Sequence, residues 1–479
     1  MQENTPYKPK NHIRIVTAAA LFDGHDAAIN VMRRILQSSG AEVIHLGHDR
    51  SVQEVVQCAI QEDVQAIAIT SYQGGHMEYF KYMYDLLNEA GCAHIRIFGG
   101  GGGVILPHEA EELHEYGIAR IYSPDDGRQM GLQGMINDLL RKADFEVGNP
   151  SGFAADEVRA GNIRAISSLI TIAENHPEKV KEIARELKQN CRELSSPVLG
   201  ITGTGGAGKS SLIDELVRRF LLSNPDRKLA ILSVDPTRRK SGGALLGDRI
   251  RMNAINSPRV FMRSMATRQA NLALSKYISD AVCIVKNAGF DMVILESSGI
   301  GQSDTEIVDY ADISLYVMTP EYGAASQLEK IDMLDFADVI AINKSDKRGA
   351  ADALRDVRKQ YARNHKIWDA IHQPLPVFST RASQFNDAGV NGLYNHLITL
   401  MNEKSEKGFN QYFAGAGEDE DVAAIIPPAR VRYLSEISDT VRGYNKHTDK
   451  LAKEASELQS LQRAADLLKE ATPEFSGIV

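Results

Sequence analysis

The sequence predicts an α/β protein with two parallel-sheet units in tandem, joined and followed by helical segments. Three observations carry this expectation. Short apolar runs alternate with helical patterns from Ile13 to about Asp144, which implies parallel strands covered on both faces. The same alternation resumes at Pro197 and continues to about Glu406. The composition, 43% hydrophobic and 24% charged over 479 residues, suits a chain of about two to four domains, each with its own core.

In the first unit, strands are expected at 13–18, 42–46, 66–70, 95–99 and, more weakly, 119–122. Helices are expected near 27–37, 52–61, 77–88, 107–115 and 128–141. Parallel sheets bind ligands at the carboxyl ends of their strands. That rule directs attention to the loops beginning at Asp23, Gly47, Ser71 and Gly99. A breaker cluster, Gly148-Asn149-Pro150-Ser151-Gly152, then precedes helical patterns at 156–174 and 177–194, read as a helical linker. The second unit carries strands at 198–202, 229–234, 260–262, 292–295, 313–317, 339–343 and 377–379. Residues 415–421 read as a flexible acidic loop. A long helical pattern follows Pro427-Pro428, with Leu451, Ala455, Leu458 and Leu461 at helical spacing. The resulting division is 12–145, 146–195, 196–410 and 411–479.

Bulk properties narrow the possible partners. A net charge of −9 argues against a nucleic-acid binder, which would show a basic face. The four cysteines, Cys58, Cys92, Cys191 and Cys283, lack metal-site spacing and read as reduced cytosolic thiols. The first eleven residues are polar, unlike a secretory signal, and no apolar run reaches the roughly 18 residues of a membrane span. The expected location is the cytoplasm, without nucleic-acid or membrane partners.

Gly203-Thr204-Gly205-Gly206-Ala207-Gly208-Lys209-Ser210 is a complete GxxxxGKS phosphate loop between an expected strand and a helix opening at Ser211. Its backbone N–H groups can wrap phosphates, Lys209 can reach the β- and γ-phosphates, and the Ser210 hydroxyl can hold Mg²⁺. Downstream, Asn343-Lys344-Ser345-Asp346 follows an apolar strand in the NKxD arrangement. The Asp346 carboxylate can accept from both the N1–H and the 2-amino group of guanine, so the nucleotide expected is GTP. Ser379, after another strand, is a candidate wall of the base pocket. Glu296-Ser297-Ser298-Gly299 occupies the place of a DxxG element, with Glu296 toward Mg²⁺ and the Gly299 N–H toward the γ-phosphate. Asp235 and Asp248 are further Mg²⁺ candidates, since hard cations prefer oxygen ligands. Arg249, Arg251 and Arg268 are candidates for stabilising phosphoryl charge. The catalytic set expected is Lys209, Glu296 and Arg249.

In the first unit, Asp23-Gly24-His25 lies just past the first strand. An exposed histidine there is a candidate metal ligand, with Asp23 placed to bond its other ring nitrogen. Ser71 ends the third strand, and the five glycines 99–103, led by Gly99 and Gly100, end the fourth, leaving room for a large flat ligand.

Taken together, Gly203–Ser210, Asp235-Pro236-Thr237, the stretch 241–249 (SGGALLGDR), Glu296 to Gln302 and Asn343–Asp346 resemble the GTPase chaperones of cobalamin-dependent acyl-CoA mutases. That resemblance places an extra switch at 320–330, including Gln327 and Lys330. The Asp23/His25, Ser71 and Gly99-Gly100 set resembles the flavodoxin-like (Rossmann-like) cobalamin-binding domain of adenosylcobalamin-dependent mutases. It implies that His25 binds cobalt in place of the cofactor's benzimidazole, whose nucleotide tail enters the slot between Ser71 and Gly99-Gly100. Two departures are Ala28, where the pattern has glycine, and Tyr72, where it has Leu or Thr.

In this order the two units, with the P-loop GTPase second, resemble the fused isobutyryl-CoA mutase family. The implied cofactors are adenosylcobalamin, GTP and Mg²⁺. The implied partner is an acyl-CoA mutase substrate barrel, for which no βα repeat of about 250 residues follows Glu406. A homodimer is also expected. The alternative is a stand-alone GTPase chaperone or cobalamin sensor acting on a separate mutase.

Overall fold

A computed structural model describes residues 5–148, 155–179, 181–191, 194–268, 274–299, 305–323, 328–367, 375–413 and 433–471. Gln302, Gln327, the acidic loop 415–421 and Pro427-Pro428 lie outside these residues. The chain forms two compact units, 1–413 and 414–479.

Unit 1–413 is built on two sheets whose strand pairings are parallel among the described residues. The first contains β1 (Arg14–Ala20), β2 (Glu42–Arg50), β3 (Ala66–Thr70), β4 (Arg96–Gly100) and β5 (Arg120–Tyr122) in the order 5-4-3-1-2. This is the flavodoxin-like order. It puts the switch point between β1 and β3, where the chain leaves in opposite directions and a crevice opens. Helices α1 (Ala27–Ser38), α2 (Val52–Gln61), α3 (His76–Glu89), α4 (Pro107–Tyr116) and α5 (Pro124–Ala143) connect the strands. Strands β1 and β3 are buried along their whole length, as their unbroken apolar runs require.

Helices α6 (Ala155–Arg159), α7 (Ile163–Asn175) and α8 (Lys181–Cys191) follow. The expected 156–174 helix is divided at Gly161, whose φ of +77° suits glycine, and restarts where the Asn162 side chain accepts the Arg164 and Ala165 N–H groups. Helix α7 is part of the core: Ala165 to Glu174 are all buried.

The second sheet contains β6 (Val198–Gly203), β7 (Leu229–Asp235), β9 (Val260–Ala266), β10 (Met292–Glu296), β11 (Ile313–Met318), β12 (Val339–Ile342) and β13 (Val377–Ser379), in the order 13-12-11-6-10-7-9. Central β6 feeds α9 (Lys209–Ser223) through the glycine loop. Strand β9 is longer than the expected 260–262. Helix α10 (Ile278–Asn287) packs beside α7 and α8.

The sequence reading did not foresee β8 (Ala244–Leu246). It lies within the 241–249 stretch, between two strands of the second sheet, but joins the first sheet as its sixth strand. It runs parallel to β2, with Glu42 opposite Ala244, Val43 opposite Leu245 and Ile44 opposite Leu246. The unit 414–479 contributes the helix Tyr433–Ala471. No described helix is long and apolar enough to cross a membrane.

Candidate functional site

The first site forms at the switch point of the first sheet. Asp23 is buried, and one carboxylate oxygen accepts both the His25 N–H and the His25 Nδ1–H at 2.9 Å. The other accepts the Tyr72 N–H at 2.6 Å. One aspartate thus ties the loop after β1 to the loop after β3. A carboxylate only accepts, so Nδ1 carries the proton of this contact and Nε2 is the ring nitrogen turned away from Asp23. The His25 side chain is 76% exposed, which leaves that nitrogen accessible to a metal. The Tyr72 ring lies 5.5 Å from the imidazole.

A cavity of about 250 Å³ adjoins, with Thr70, Tyr72, Gly99, Gly100, Gly101, Gly102 and Ala28 among its lining residues. The hydroxyls of Thr70 and Ser71 are buried without a hydrogen-bond partner. A polar ligand tail would satisfy them, since an unpaired buried hydroxyl is costly. The departure at Ala28 leaves the cavity open. The glycines are not all there for a ligand. A Cβ on Gly99 would come within 2.4 Å of the Phe80 ring, and one on Gly101 within 1.9 Å of the Ser71 carbonyl oxygen. Packing alone therefore requires glycine at both positions.

The second site lies at the carboxyl end of β6. A cavity of about 440 Å³ is lined by Gly205, Gly206, Gly208, Lys209, Ser210, Ser211, Val234, Asp235, Asp248, Arg251, Glu296, Ser297, Ser298 and Lys344. The Lys209 ammonium donates to the Gly203 carbonyl at 3.1 Å, curled back within its own loop. A Cβ on Gly203 would meet the Val317 carbonyl oxygen at 1.9 Å, and Ala207 is buried. Gly299 has a φ of +61°, and a Cβ there would strike the Lys209 ammonium at 2.2 Å. The Ser210 hydroxyl, with one proton to donate, lies 3.0 Å from an Asp248 oxygen and 3.2 Å from a Glu296 oxygen. The hydroxyl of Ser233, which the sequence reading missed, lies 2.6 and 3.1 Å from the same two carboxyl groups.

Asp235 accepts the Gly247 N–H at 3.2 Å. Burial, and then the charge of Asp248, push the Asp235 and Glu296 carboxyls well above their ordinary range. A divalent cation among these oxygens would relieve that repulsion. Among the described residues, no three His, Cys, Asp or Glu side chains form a ready metal cage. The Ser210 hydroxyl and the phosphates themselves would have to complete the ligand set.

The NKxD residues brace the phosphate loop. Asn343 Nδ2 donates to the Ala207 carbonyl at 2.9 Å and Lys344 Nζ to the Gly206 carbonyl at 2.8 Å. Asn343 Oδ1 accepts from the Ala382 N–H at 3.1 Å and the Thr380 hydroxyl at 3.4 Å. Asp346 is exposed, two residues beyond Lys344, which lines the cavity. Ser379 ends β13, one residue before these contacts; Thr380 and Ala382 touch Asn343 directly.

Two of the three arginines considered for the phosphates point elsewhere. Arg249, expected to be catalytic, is buried and pairs with Glu62 of α2's carboxyl end at 2.7 Å. It also donates to Gln61 Oε1 at 2.9 Å and to the Met262 carbonyl. Arg268 pairs with Glu42 of β2 at 2.8 Å. Asp248 and Arg249 sit side by side on a 3₁₀ turn, Asp248–Arg251, and project to opposite sides. Of the three, Arg251 lines the nucleotide cavity.

The sequence that builds these two sites matches known families. Residues 166–422, over half of the chain, match the model "Methylmalonyl Co-A mutase-associated GTPase MeaB". The chain belongs to the MeaB GTPase family. Residues 13–125 match the B12 binding domain, so this MeaB-family GTPase carries a cobalamin-binding domain ahead of it. Its relatives bear out the resemblance to fused isobutyryl-CoA mutases. That of Geobacillus kaustophilus is 56% identical over 470 residues, 97% of this chain and 43% of that protein. That of Cupriavidus metallidurans is 55% identical over 477 residues, 98% of this chain and 43% of that protein. The methylmalonic aciduria type A homolog of Caenorhabditis briggsae is 32% identical over 200 residues, 39% of this chain and 48% of that protein. This MeaB-family chain thus spans less than half the length of the fused relatives it matches.

Proposed function

We propose that this chain holds adenosylcobalamin through His25 and hydrolyses GTP at the phosphate loop. In this reading it serves an adenosylcobalamin-dependent acyl-CoA mutase that interconverts isobutyryl-CoA and butyryl-CoA. The single observation that carries the reading is the His25 ring, locked by Asp23 with Nε2 accessible, in the same chain as a formed phosphate loop. When bound, adenosylcobalamin supplies a homolysable Co–C bond. Asp23 fixes the imidazole orientation, and the cavity beside Thr70, Ser71 and Gly99-Gly100 receives the displaced nucleotide tail. Lys209 neutralises β- and γ-phosphate charge, Ser210, Asp248 and Glu296 hold Mg²⁺ with Asp235 behind them, and Arg251 faces the transferring phosphoryl group. Asn343, Lys344 and Asp346 select guanine.

The functional division is 12–145 for cobalamin, 146–195 as connector, 196–410 for GTP and 411–479 leading toward a substrate barrel. That barrel comes from a further segment or a separate subunit, in a homodimeric assembly in the cytoplasm. GTP hydrolysis gates loading or repair of the cofactor. The test is a GTPase assay together with a mutase assay in which a barrel subunit is added. Lys209→Ala is expected to abolish hydrolysis, and the added barrel to restore isobutyryl-CoA isomerisation. Hydrolysis of ATP in preference to GTP, or no isomerisation with a competent barrel, would refute the reading.

A further inference from the structure

The 3₁₀ turn that carries Asp248 touches the phosphate loop on one side and elements of the first domain on the other. Its first residue accepts from Ser210 of the phosphate loop at 3.0 Å. Its second, Arg249, plugs into the end of α2 through Glu62 and Gln61. Its third, Ile250, lies against Gly47 of β2 so closely that a Cβ there would come within 2.9 Å of Ile250 Cδ1.

Gly47 sits at an irregularity of the β1–β2 pairing, where Ala18 faces Gly47 and Ala20 faces Arg50. Two residues further on, Asp49 accepts the Phe22 N–H at 2.7 Å. Phe22 precedes Asp23, whose carboxylate holds the His25 ring. Gly47, Asp49 and Phe22 have φ values of +86°, +58° and +64°. Left-handed backbone at Asp49 and Phe22 persists only where the surroundings impose it, and such strain gathers at switches.

The segment before the turn is locked to the same domain. Strand β8 pairs with β2. The Ser241 hydroxyl donates to the Gln37 carbonyl at 3.1 Å, at the end of the helix that begins just after His25. A Cβ on Gly243 would meet that carbonyl oxygen at 2.2 Å. A change at Asp248 therefore cannot be absorbed by slack between the turn and the sheet edge.

Building on the proposed function, we infer that Ile250 and Asp49 are positioning residues for the His25 loop, set by what Asp248 binds. The occupancy of the nucleotide cavity is then read at the cobalt ligand through Ile250, Gly47, Asp49 and Phe22. By linkage the effect is reciprocal: each ligand changes the other's affinity by the same factor.

The test is an absorbance titration of the full chain with adenosylcobalamin, with and without a non-hydrolysable GTP analogue, and the converse titration by calorimetry. In the wild-type chain the coenzyme affinity is expected to differ by at least about fivefold between the two conditions, falling below about twofold in Ile250→Ala. Ile250 is 38% exposed, and each ligand alone is expected still to bind that variant. Ile250→Val is expected to restore most of the effect. Asp49→Ala is expected to lose it, whereas Asp49→Asn keeps an acceptor for Phe22 and tolerates left-handed backbone. The inference is overturned if the wild type binds both ligands without mutual effect, or if Ile250→Ala and Asp49→Ala keep the wild-type factor. Failure of the wild type to bind one of the ligands would instead defeat the proposed function, and the inference with it.

Discussion

A single buried carboxylate does two jobs at the first site. Asp23 fixes the His25 tautomer with one oxygen and the loop after β3 with the other. The first contact was legible because the two residues are neighbours in sequence. The second was not, because the Tyr72 N–H is brought there only by the pairing of β1 with β3. Asp23→Ala is expected to weaken coenzyme binding by roughly 10–100-fold, as loss of an outer partner does at metal sites, in a spectroscopic titration. The arginines show the converse. Arg249 and Arg251 are two apart in a charged motif, and no local pattern says which side of a 3₁₀ turn each will face. Arg251→Ala is expected to lower kcat/KM for GTP hydrolysis by at least about tenfold, through lost charge stabilisation of the phosphoryl group. An unchanged value would remove Arg251 from the site.

At the scale of elements, the phosphate loop, the NKxD strand end and most strands were readable because each is a local pattern with a local consequence. Strand β8 was not. Three residues are too few to show a period, and its partner β2 lies about 200 residues away in sequence, among the strands of the first domain. The motif around it marked the place without revealing that it closes the gap between the two sheets. Gly243→Ala puts a methyl against the Gln37 carbonyl and is expected to cost about 1–3 kcal/mol, measured by denaturant unfolding. Arg249→Met strips a buried cation from Glu62 and is expected to cost about 3 kcal/mol of stability. A loss of GTP turnover without destabilisation would instead return Arg249 to the catalytic set.

Across the whole of unit 1–413, a buried charge network joins the two sheets. Arg14 of β1 pairs with Glu42 at 2.9 Å and Glu62 at 2.5 Å, while Arg268 and Arg249 approach the same carboxylates from the other side. Its members were visible in the sequence as scattered charges, and only the fold makes them one cluster. Burial works against the charged form of Glu42, but Arg268 and Arg14 outweigh it and hold its carboxyl at about 2. A depressed carboxyl stabilises the fold above its ordinary pKa of 4.5, and that stability is lost as pH falls toward 2. The wild-type chain is expected to lose thermal stability through this window more steeply than Glu42→Gln; equal slopes would show that Glu42 is not depressed. Such a network resists independent motion of the two sheets, which is what linked sites need.

The central claim is that His25 displaces the cofactor's own base and binds cobalt. The most direct measurement is the low-temperature EPR spectrum of the full chain, grown with ¹⁵N-histidine and loaded with cob(II)alamin. Coordination by His25 is expected to split each cobalt line in two, the signature of a spin-one-half nitrogen. A persistent three-way splitting, from the ¹⁴N of the cofactor's own base, would contradict it.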